Sequence, residues 1–426
     1  MKKKQLVSAI IALSVSGLTY AAPSSYSPIG TNIGYGDSSN PNSLYNSLAN
    51  PANNAMNAAD TEGYRVGLGA TLQTQLKIEG LEGSKDFLDN RIKPILDKRT
   101  YTLTNATNLQ NETNSFLTTY NQGSFSTISG VTIPLIIKHE AMGGGISFDY
   151  TQQVAGKGRL IKKNNVTAYN NGGNLAINSG DAAFGVDYKQ LNEFALGYGF
   201  DITKSDAGAL SLGITARYLN LLSNTKIVDF SQIANDNLGN NTKDTTSYIN
   251  DIDSGKSDSN YTADIGINWT SKTFMVGLTG MNLTSPKFDV NNKSNATATT
   301  DFANQINSKF ELKSQYRVMA QWFTLDRNWT LAGSYDLNKA NDLNNEDVQW
   351  WTVGASYATN SAWYIPDVRF GLRGNLVGSK YTYANAGLTL GFLTLDVSTT
   401  TLDFKGVSDK QKNAGVMAAA GVEFDF

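Results

Sequence analysis

An unbroken alternation of apolar and polar residues over 63–79 restricts most strongly what this chain can fold into. The even positions, from Tyr64 to Ile78, are mostly apolar, and the odd positions are polar, charged or glycine. Such a period of two predicts a β-strand with one apolar and one polar face. The run is about three times as long as a usual strand of ~5–6 residues, so it favours a membrane-spanning barrel over a soluble β-sandwich.

The same alternation recurs along the chain, which makes the predicted fold all-β. It is clearest at 184–202, 208–222, 261–269 and 414–426, where the polar face collects acids and glycines. An apolar outside around a polar inside suits a water-lined barrel in lipid, and closure leaves no unpaired strand edge in the hydrocarbon. We therefore predict a transmembrane antiparallel β-barrel. An interfacial aromatic girdle near the strand ends is expected from Trp269, Trp322, Trp329, Tyr335 and Tyr357.

Fourteen strands account for the alternating segments. We place them at about 63–79, 124–138, 142–152, 184–203, 208–224, 259–270, 273–283, 312–323, 328–338, 348–358, 366–377, 380–391, 394–403 and 413–426. With both termini in the periplasm, the long polar connections fall outside the cell and the short ones inside, which is the usual asymmetry of outer-membrane barrels. The inward connection 359–365 is somewhat long for its side. The outer connections are 80–123, 153–183, 225–258, 284–311, 339–347 and 404–412.

The first 21 residues have the pattern of a cleaved secretory signal peptide. Lys2 to Lys4 form a basic start, Leu6 to Leu18 form an apolar stretch, and cleavage is expected after Ala21. Removing these three lysines from 35 basic residues leaves 32 against 37 acidic residues, a net charge of −5, which argues against nucleic acid as a partner. We expect export to the outer membrane of a Gram-negative cell, where lipid surrounds the barrel, residues 63–426.

Little in the sequence favours enzymatic chemistry. The chain has no cysteine and one histidine, His139, which is followed by Glu140 in a predicted periplasmic turn. A hydrolase site would pair that histidine with an acid or serine at the reacting group, and a turn at this end is a poor place for one. The glycines at 143–145 lack the lysine of a phosphate-binding loop. We expect no enzymatic activity, no metal and no cofactor.

Charged residues on the predicted inner faces suggest a network inside the lumen. Such a network braces the lumen or lines a route through it, and we favour bracing. Its members are Arg65, Asp149, Glu193, Asp201, Arg217, Asp264, Arg317, Asp336, Arg369 and Arg373.

The last predicted strand ends on an aromatic residue. Val422, Phe424 and Phe426 share one face of 414–426. A terminal aromatic on an alternating strand resembles the signal recognised by the barrel-assembly machinery, which we therefore expect as a partner during biogenesis.

Two prolines mark irregular positions. In 80–123, Phe87, Leu88, Ile92, Ile95 and Leu96 have helical spacing, which indicates either a short amphipathic helix over the barrel mouth or an ordinary folded loop. Pro94 should break or kink such a helix. In the second predicted strand, Pro134 removes a backbone donor and suggests a β-bulge.

Several short segments together resemble the FadL-type outer-membrane transporter superfamily, and in particular the TraF-like barrel proteins labelled as conjugal transfer proteins. The segments are LANPANNAM at 48–56, VTIPLIIKHEAMGGGISFDY at 131–150, YRVMAQW at 316–322, WTLAGSYDLNKANDL at 329–343, WTVGASY at 351–357 and DVRFGLRGNL at 367–376. The resemblance covers nearly all of the chain after the signal peptide.

The resemblance implies a plug inside the lumen, formed by residues 22–62 and carrying the motif Asn50, Pro51 and Ala52. It further implies that small hydrophobic molecules pass the plugged lumen and leave sideways through the wall. Residues 22–62 are mostly Asn, Ser, Gly and Ala, which keeps a second function open: a structural or interaction barrel of the conjugal type that contacts partners through its outer loops. An apolar pocket with an opened wall near Pro134 or 142–152 favours transport, and a lumen of paired charges favours the structural role.

Overall fold

Strands that follow one another around a closed barrel make up most of the chain. The computed structural model describes residues 43–55, 64–98, 101–178, 182–231, 255–290, 309–358, 364–400 and 413–425. Within these residues fourteen strands form one closed antiparallel barrel, in which the first strand, Tyr64–Glu79, also pairs with the last strand, Ala414–Asp425, from Gly67 to Ile78. The prediction of a fourteen-stranded antiparallel barrel is confirmed.

The barrel strands alternate with three small hairpins in the connections. The barrel consists of β1 Tyr64–Glu79, β2 Ser124–His139, β3 Gly144–Lys162, β6 Ala182–Ser205, β7 Gly208–Asp229, β8 Lys256–Thr270, β9 Phe274–Met281, β12 Gln315–Phe323, β13 Trp329–Asp336, β16 Trp350–Tyr357, β17 Asp367–Asn375, β18 Thr382–Leu390, β19 Leu393–Thr399 and β20 Ala414–Asp425. The hairpins are β4 Ala168–Asn171 with β5 Asn174–Ile177, β10 Lys287–Asp289 with β11 Lys309–Glu311, and β14 Ala340–Asn341 with β15 Asp347–Val348. We call the end of the barrel that carries these hairpins the outer end.

The two faces of the wall follow the alternation in the sequence. In β1 the apolar Leu68, Leu72 and Leu76 are exposed on the outside, whereas Gln73 and Gln75 are buried on the inside. Trp269, Trp322 and Trp329 are likewise exposed and lie near the inner ends of β8, β12 and β13. An apolar belt of this kind is what lipid requires of a barrel wall.

One side of the barrel is much taller than the other. β6 has 24 residues and β7 has 22, whereas β9, β13 and β16 have eight each. A tilted transmembrane strand needs only ~9–11 residues, so the outer ends of the long strands project beyond a bilayer. The predicted end of the third strand at 152 is wrong: β3 continues to Lys162, because its outer end is covered on both faces and no longer alternates.

An apolar core outside the barrel covers these tall strand ends. Four helices are described, α1 Asn46–Ala49, α2 Ser84–Phe87, α3 Lys93–Leu96 and α4 Leu103–Thr119, with a π-helical turn Leu88–Ile92 and 3-10 turns Pro51–Ala55 and Glu140–Met142. Helices α2 to α4 and the β4–β5 hairpin form what we call the outer cap. Its core contains Leu88, Ile92, Ala106, Leu109, Phe116, Leu117, Tyr120, Val166, Leu175 and Ile177, together with Leu160 of β3.

The two prolines affect their elements differently. Pro94 lies in the first turn of α3, directly after the π-helical turn Leu88–Ile92, so the α-helical hydrogen bonding of 84–96 is interrupted just before the proline, as a break or kink requires. Pro134 pairs with Asp149 in an unshifted β2–β3 register, and the β1–β2 register is the same on both sides of it. The predicted bulge is therefore wrong, and Gly69 opposite leaves room for the proline ring. The one register shift between β6 and β7 lies at Asp201 and Thr203.

Within the described part of the chain, no helix is both long enough and apolar enough to cross a membrane.

Candidate functional site in the barrel lumen

Residues 43–55 lie inside the barrel against the inward faces of its strands. The segment turns from α1 into the 3-10 turn at Asn50 and Pro51. The Asn50 side chain closes this turn, since its Oδ1 accepts a hydrogen bond from the Ala52 N–H at 2.9 Å. Asn50 Nδ2 donates to Asn268 Oδ1 of β8 at 2.8 Å. All three residues of the predicted plug motif are thus buried in the lumen. Of the predicted plug, residues 22–42 and 56–62 lie outside the described residues.

Amides fix the middle of the segment. Asn53 Nδ2 donates to the carbonyl oxygen and to Oδ1 of Asn46, both at 2.7 Å. Asn268 Nδ2 in turn donates to Asn53 Oδ1, and Asn54 Nδ2 donates to Ser147 Oγ of β3 at 3.1 Å. The middle of the segment is therefore bonded to β3 and β8, which are separated in the barrel by β6 and β7.

The start of the segment is held by the last strand. Glu423 accepts hydrogen bonds from Ser43 Oγ and the Leu44 N–H, both at 2.8 Å. The Tyr45 hydroxyl donates to the Val422 carbonyl oxygen at 3.4 Å, and burial raises the pKa of that hydroxyl. Of the predicted assembly residues, Phe424 faces outward and stacks on Phe392 with ring centroids 5.5 Å apart. Phe426 lies outside the described residues.

Inward-facing glycines leave the space that the segment occupies. A Cβ at Gly213 of β7 would overlap the Pro51 carbonyl carbon, and one at Gly266 of β8 would overlap the Asn50 side chain. The same holds for Gly145, which faces the Asn54 carbonyl oxygen. We call the inward glycines that contact residues 43–55 the glycine socket. It consists of Gly67, Gly69, Gly145, Gly197, Gly199, Gly213, Gly266 and Gly277.

The first group of paired charges lies on β6, β7 and β8. The Arg217 guanidinium bonds to Glu193 Oε1 and to Asp264 Oδ2, the latter from Nε at 2.6 Å. Asp264 Oδ1 also accepts the Asn282 N–H at 2.8 Å. All three ionisable side chains are buried.

Two further groups lie on the short-strand side. Arg317 Nε donates to Asp336 Oδ1 at 2.7 Å, and Asp336 Oδ2 accepts from Gln315 Nε2 at 2.6 Å. Arg369 Nη2 donates to Asp396 Oδ1 at 2.7 Å. Asp396 was not predicted, although the alternation of β19 alone would have placed it on the inner face.

The remaining predicted charges lie elsewhere on the inner wall. The Arg373 guanidinium carbon lies 3.9 Å from the ring centroid of Trp350. Asp201 accepts a hydrogen bond from Ser211 Oγ at 2.6 Å. Asp149 is buried on β3, and Arg65 is half-buried at the start of β1. Six of the ten predicted side chains thus take part in the three groups of paired charges.

A fourth group of charges, at the outer end, was missed because it involves a hairpin with no periodic sequence. Glu346, beside β15, forms ion pairs with Lys77 of β1 and with Lys157 of β3, the latter at 2.7 Å. Asp342 on the same hairpin is buried, and burial raises its pKa to about 6. These ion pairs connect the β14–β15 hairpin to β1 and β3 at the outer end of the barrel.

Apolar side chains from two hairpins fill the lumen below this group. Phe288 and Phe310 stack with ring centroids 6.2 Å apart and are joined by Leu343 from the β14–β15 hairpin. They pack on inward-facing residues of the tall strands, namely Ile128, Ala155, Leu191, Leu219 and Leu221. The apolar surface inside the outer half of the barrel is therefore in contact with other parts of the chain.

The candidate catalytic histidine lies apart from all of these groups. His139 is exposed at the end of β2, and its Nδ1 accepts a hydrogen bond from the Ala141 N–H at 3.0 Å. Among the described residues, no group of three His, Cys, Asp or Glu side chains is placed to hold a metal ion.

Comparisons with known proteins give one family and several similar structures. The family model described as F plasmid transfer operon, TraF, protein matches residues 47–336. The toluene transporter TodX of Pseudomonas putida is 10% identical, with a TM-score of 0.46, over 94% of this chain and 98% of TodX. A FadL homologue of Pseudomonas aeruginosa is 7% identical, with a TM-score of 0.30, over 95% of this chain and 97% of its own. No curated protein matches the sequence.

Proposed function

We propose, from the premise that this chain belongs to the TraF family, that it is an outer-membrane barrel with a structural or interaction role and a lumen closed at rest by residues 43–55. The observation that carries this proposal is the filling of the lumen: a segment seated on glycines, with paired arginines and carboxylates around it. A buried ion pair tolerates little displacement, since removal of one partner leaves an uncompensated charge. These features suit a braced wall better than a route for apolar molecules.

The surroundings of the segment support the same proposal. Its neighbours are amides, a serine and Glu423 instead of an apolar pocket. The wall next to it is paired without interruption from Gly144 to Lys162 on the side of β6. The β1–β2 ladder skips Gly69 and Ala70 opposite Pro134 and Ile133 but keeps its register, so the wall has no bulge there.

The outer cap is the surface that we assign to partners. It has its own apolar core, so its contact face is already ordered before binding, which lowers the entropic cost of association. The exposed side of α4 carries Thr107, Asn108 and Asn111, which are small polar groups suited to hydrogen bonding with another surface.

The experiment measures plasmid transfer and cell contact in cells that express the full chain. The test variant carries Asn108→Lys and Asn111→Lys on the outer cap, and the control carries Asp206→Lys in an exposed turn at the other end. We expect the test variant to lower transfer or cell contact at least tenfold with normal outer-membrane levels, and the control to leave both unchanged. Normal transfer by a strain that lacks the whole gene would contradict the proposal.

A second candidate is transport of small hydrophobic molecules, which one observation favours. A groove of about 820 Å³ runs over the lipid-facing side of β8, β9, β12 and β13 and is lined by Trp269, Val276 and Trp322. Behind it, Asn50 Nδ2 reaches the carbonyl oxygens of Ile267 at 3.4 Å and Leu278 at 3.5 Å. The groove and the segment in the lumen therefore lie on opposite faces of the same two strands, β8 and β9.

Filling the groove tests this second candidate. Ala320, on the outward face of β12, lines the groove. If the protein takes up hydrophobic molecules, cells with the wild-type chain accumulate labelled toluene faster than cells without it, and Ala320→Trp lowers that rate severalfold. Equal accumulation with and without the gene would exclude the candidate.

A further inference from the structure

A small cavity with an excess of positive charge lies at the outer end of the lumen, apart from residues 43–55. It has a volume of about 120 Å³ and lies between β3, β6, β11 and the β14–β15 hairpin. Its ionisable lining consists of Lys157, Arg159, Lys189, Lys309 and Asp187. Four cations thus face one carboxylate in a space well above the ~10–15 Å³ that a single water needs.

The neighbouring acids only partly balance these cations. Lys157 is paired with Glu346 at 2.7 Å. Asp187 accepts a hydrogen bond from Thr225 Oγ1 at 2.8 Å. The carboxylate of Asp342, on the hairpin, interacts electrostatically with three cations, Lys77, Lys157 and Lys189. Among the cavity-lining side chains on β6 and β11, the cations Lys189 and Lys309 outnumber the carboxylate Asp187.

Lys189 is the residue on which the inference depends. Its side chain is only 8% exposed, and in the described part of the chain no carboxylate lies within ion-pair distance of it. Its ammonium lies 5.3 Å from the ring centroid of Phe310, a contact that stabilises a cation less than a direct anion does. Asp187 and Asp342 act on Lys189 electrostatically but lie beyond ion-pair distance. Since a buried charge is costly unless it is paired and hydrogen-bonded, an anion in direct contact would stabilise this ammonium.

The geometry of the donors indicates what that counter-charge is. Lys157 and Arg159 approach from β3, Lys189 from β6 and Lys309 from β11. Asn344 and Asn345 of the hairpin also line the cavity. Donors that converge from several directions fit an anion with three or four oxygens, and charge-assisted hydrogen bonds to such oxygens are strong.

We propose that this cavity is a binding site for a small tetrahedral oxyanion, a phosphate or sulfate group. The bound group neutralises Lys189 and links β3 and β6 to the two hairpins that cover the mouth. The inference does not depend on the role assigned to the outer cap or on whether anything passes the lumen.

Calorimetric titration of the full-length folded barrel in neutral detergent, in a phosphate-free buffer, tests the proposal. Inorganic phosphate and sulfate are the first probes, and phosphatidic acid in mixed micelles is a second arm that presents the same group on a lipid. We expect saturable 1:1 binding of at least one inorganic ion, weakened at least tenfold by high salt. Binding of phosphatidic acid alone, or of no probe, would overturn the proposal.

Two substitutions locate the site. Lys189→Met removes the charge with little change in volume and should weaken binding at least tenfold. Lys287→Met, an exposed lysine of the same outer end that does not line the cavity, should leave binding unchanged. If Lys189→Met does not give a folded barrel on a heat-modifiability gel, Lys309→Met replaces it with the same expectation. Equal affinity of the wild type and the folded cavity variant would overturn the assignment.

Discussion

Asn50 and Asn268 are 218 positions apart in the chain, and their side-chain amides meet at 2.8 Å inside the barrel. Asn50 closes its own turn with its oxygen and uses its nitrogen for the wall. This one contact connects a short segment before the first strand to the inner end of β8. The segment can lie this close to the wall because Gly213 and Gly266, which face it, have no side chains.

The glycine socket gives the first prediction. Gly213→Ala places a Cβ on the Pro51 carbonyl carbon and the Ala52 nitrogen, and because these are backbone atoms the segment must shift. We expect the barrel to assemble but residues 43–55 to become accessible. The chain has no cysteine, so a single Asn53→Cys substitution reports this as a labelling rate that rises at least tenfold.

Gly156→Ala is the matched control for that measurement. Gly156 lies on β3, where a Cβ would contact only Thr127 at an ordinary 3.5 Å. Its labelling rate should equal that of the parent Asn53→Cys protein. Unchanged labelling in Gly213→Ala would show that the segment is not seated as described.

Arg217 gives the second prediction. It forms ion pairs with both Glu193 and Asp264 in a buried site, so Arg217→Met leaves both carboxyl groups without their shared cation. We expect a loss of about 3 kcal/mol in the free energy of unfolding, measured by denaturant titration in detergent with tryptophan fluorescence. Adding Glu193→Gln and Asp264→Asn should recover most of the loss, and the exposed Lys272→Met should cost little. A stable single variant would contradict a bracing role.

The alternation predicted the strands well and the pairing of charges poorly, for physical reasons. A period of two fixes the inner face of every barrel strand, and Glu193, Arg217 and Asp264, which have that phase, are buried. Which of them meet depends on the register between strands, and the sequence pattern does not encode it. Arg369 therefore bonds Asp396, a residue that was overlooked.

The outer end escaped prediction for a different reason. Alternation weakens where both faces are covered, as at the end of β3 around Leu160 and Ile161, both of which are buried. The hairpin that carries Glu346 has no periodic pattern at all, and its contact with Lys77 joins residues from opposite parts of the chain. Contacts between a loop and the barrel wall, such as the Glu346–Lys77 ion pair, therefore could not be predicted from the sequence pattern.

The C-terminal aromatic gives the third prediction. Phe426 is predicted to be part of the signal for the barrel-assembly machinery, together with Val422 and Phe424. Deleting Phe426 should lower the amount of protein in the outer membrane severalfold, measured by fractionation and immunoblotting. Phe392→Ala, which removes the stacking partner of Phe424 but leaves the terminus intact, is the control and should have a smaller effect. Unchanged insertion of the truncated chain would refute the signal.

Asp342 gives the fourth prediction, a dependence of the mouth on pH. Its pKa in the closed hairpin is raised to about 6 by burial, against an ordinary value of 3.8, and Lys77, Lys157 and Lys189 surround it. A raised pKa in the closed state means that closure is favoured fully below about pH 3.8, and that this contribution is lost as the pH rises through about 6. The difference corresponds to at most about 3 kcal/mol.

The rate of opening measures this directly. A cysteine at the buried Ala340 should be labelled faster in the wild-type background than with Asp342→Asn at pH 7.5, and the ratio of the two rates should fall towards one by pH 5. The asparagine keeps an oxygen to accept the Glu346 N–H, which the aspartate accepts at 2.8 Å, so the comparison isolates the charge. Glu346→Gln, which breaks the ion pairs to Lys77 and Lys157, should raise labelling at both pH values. A ratio that does not change between pH 5 and 7.5 would show that Asp342 is not titrating in the closed mouth.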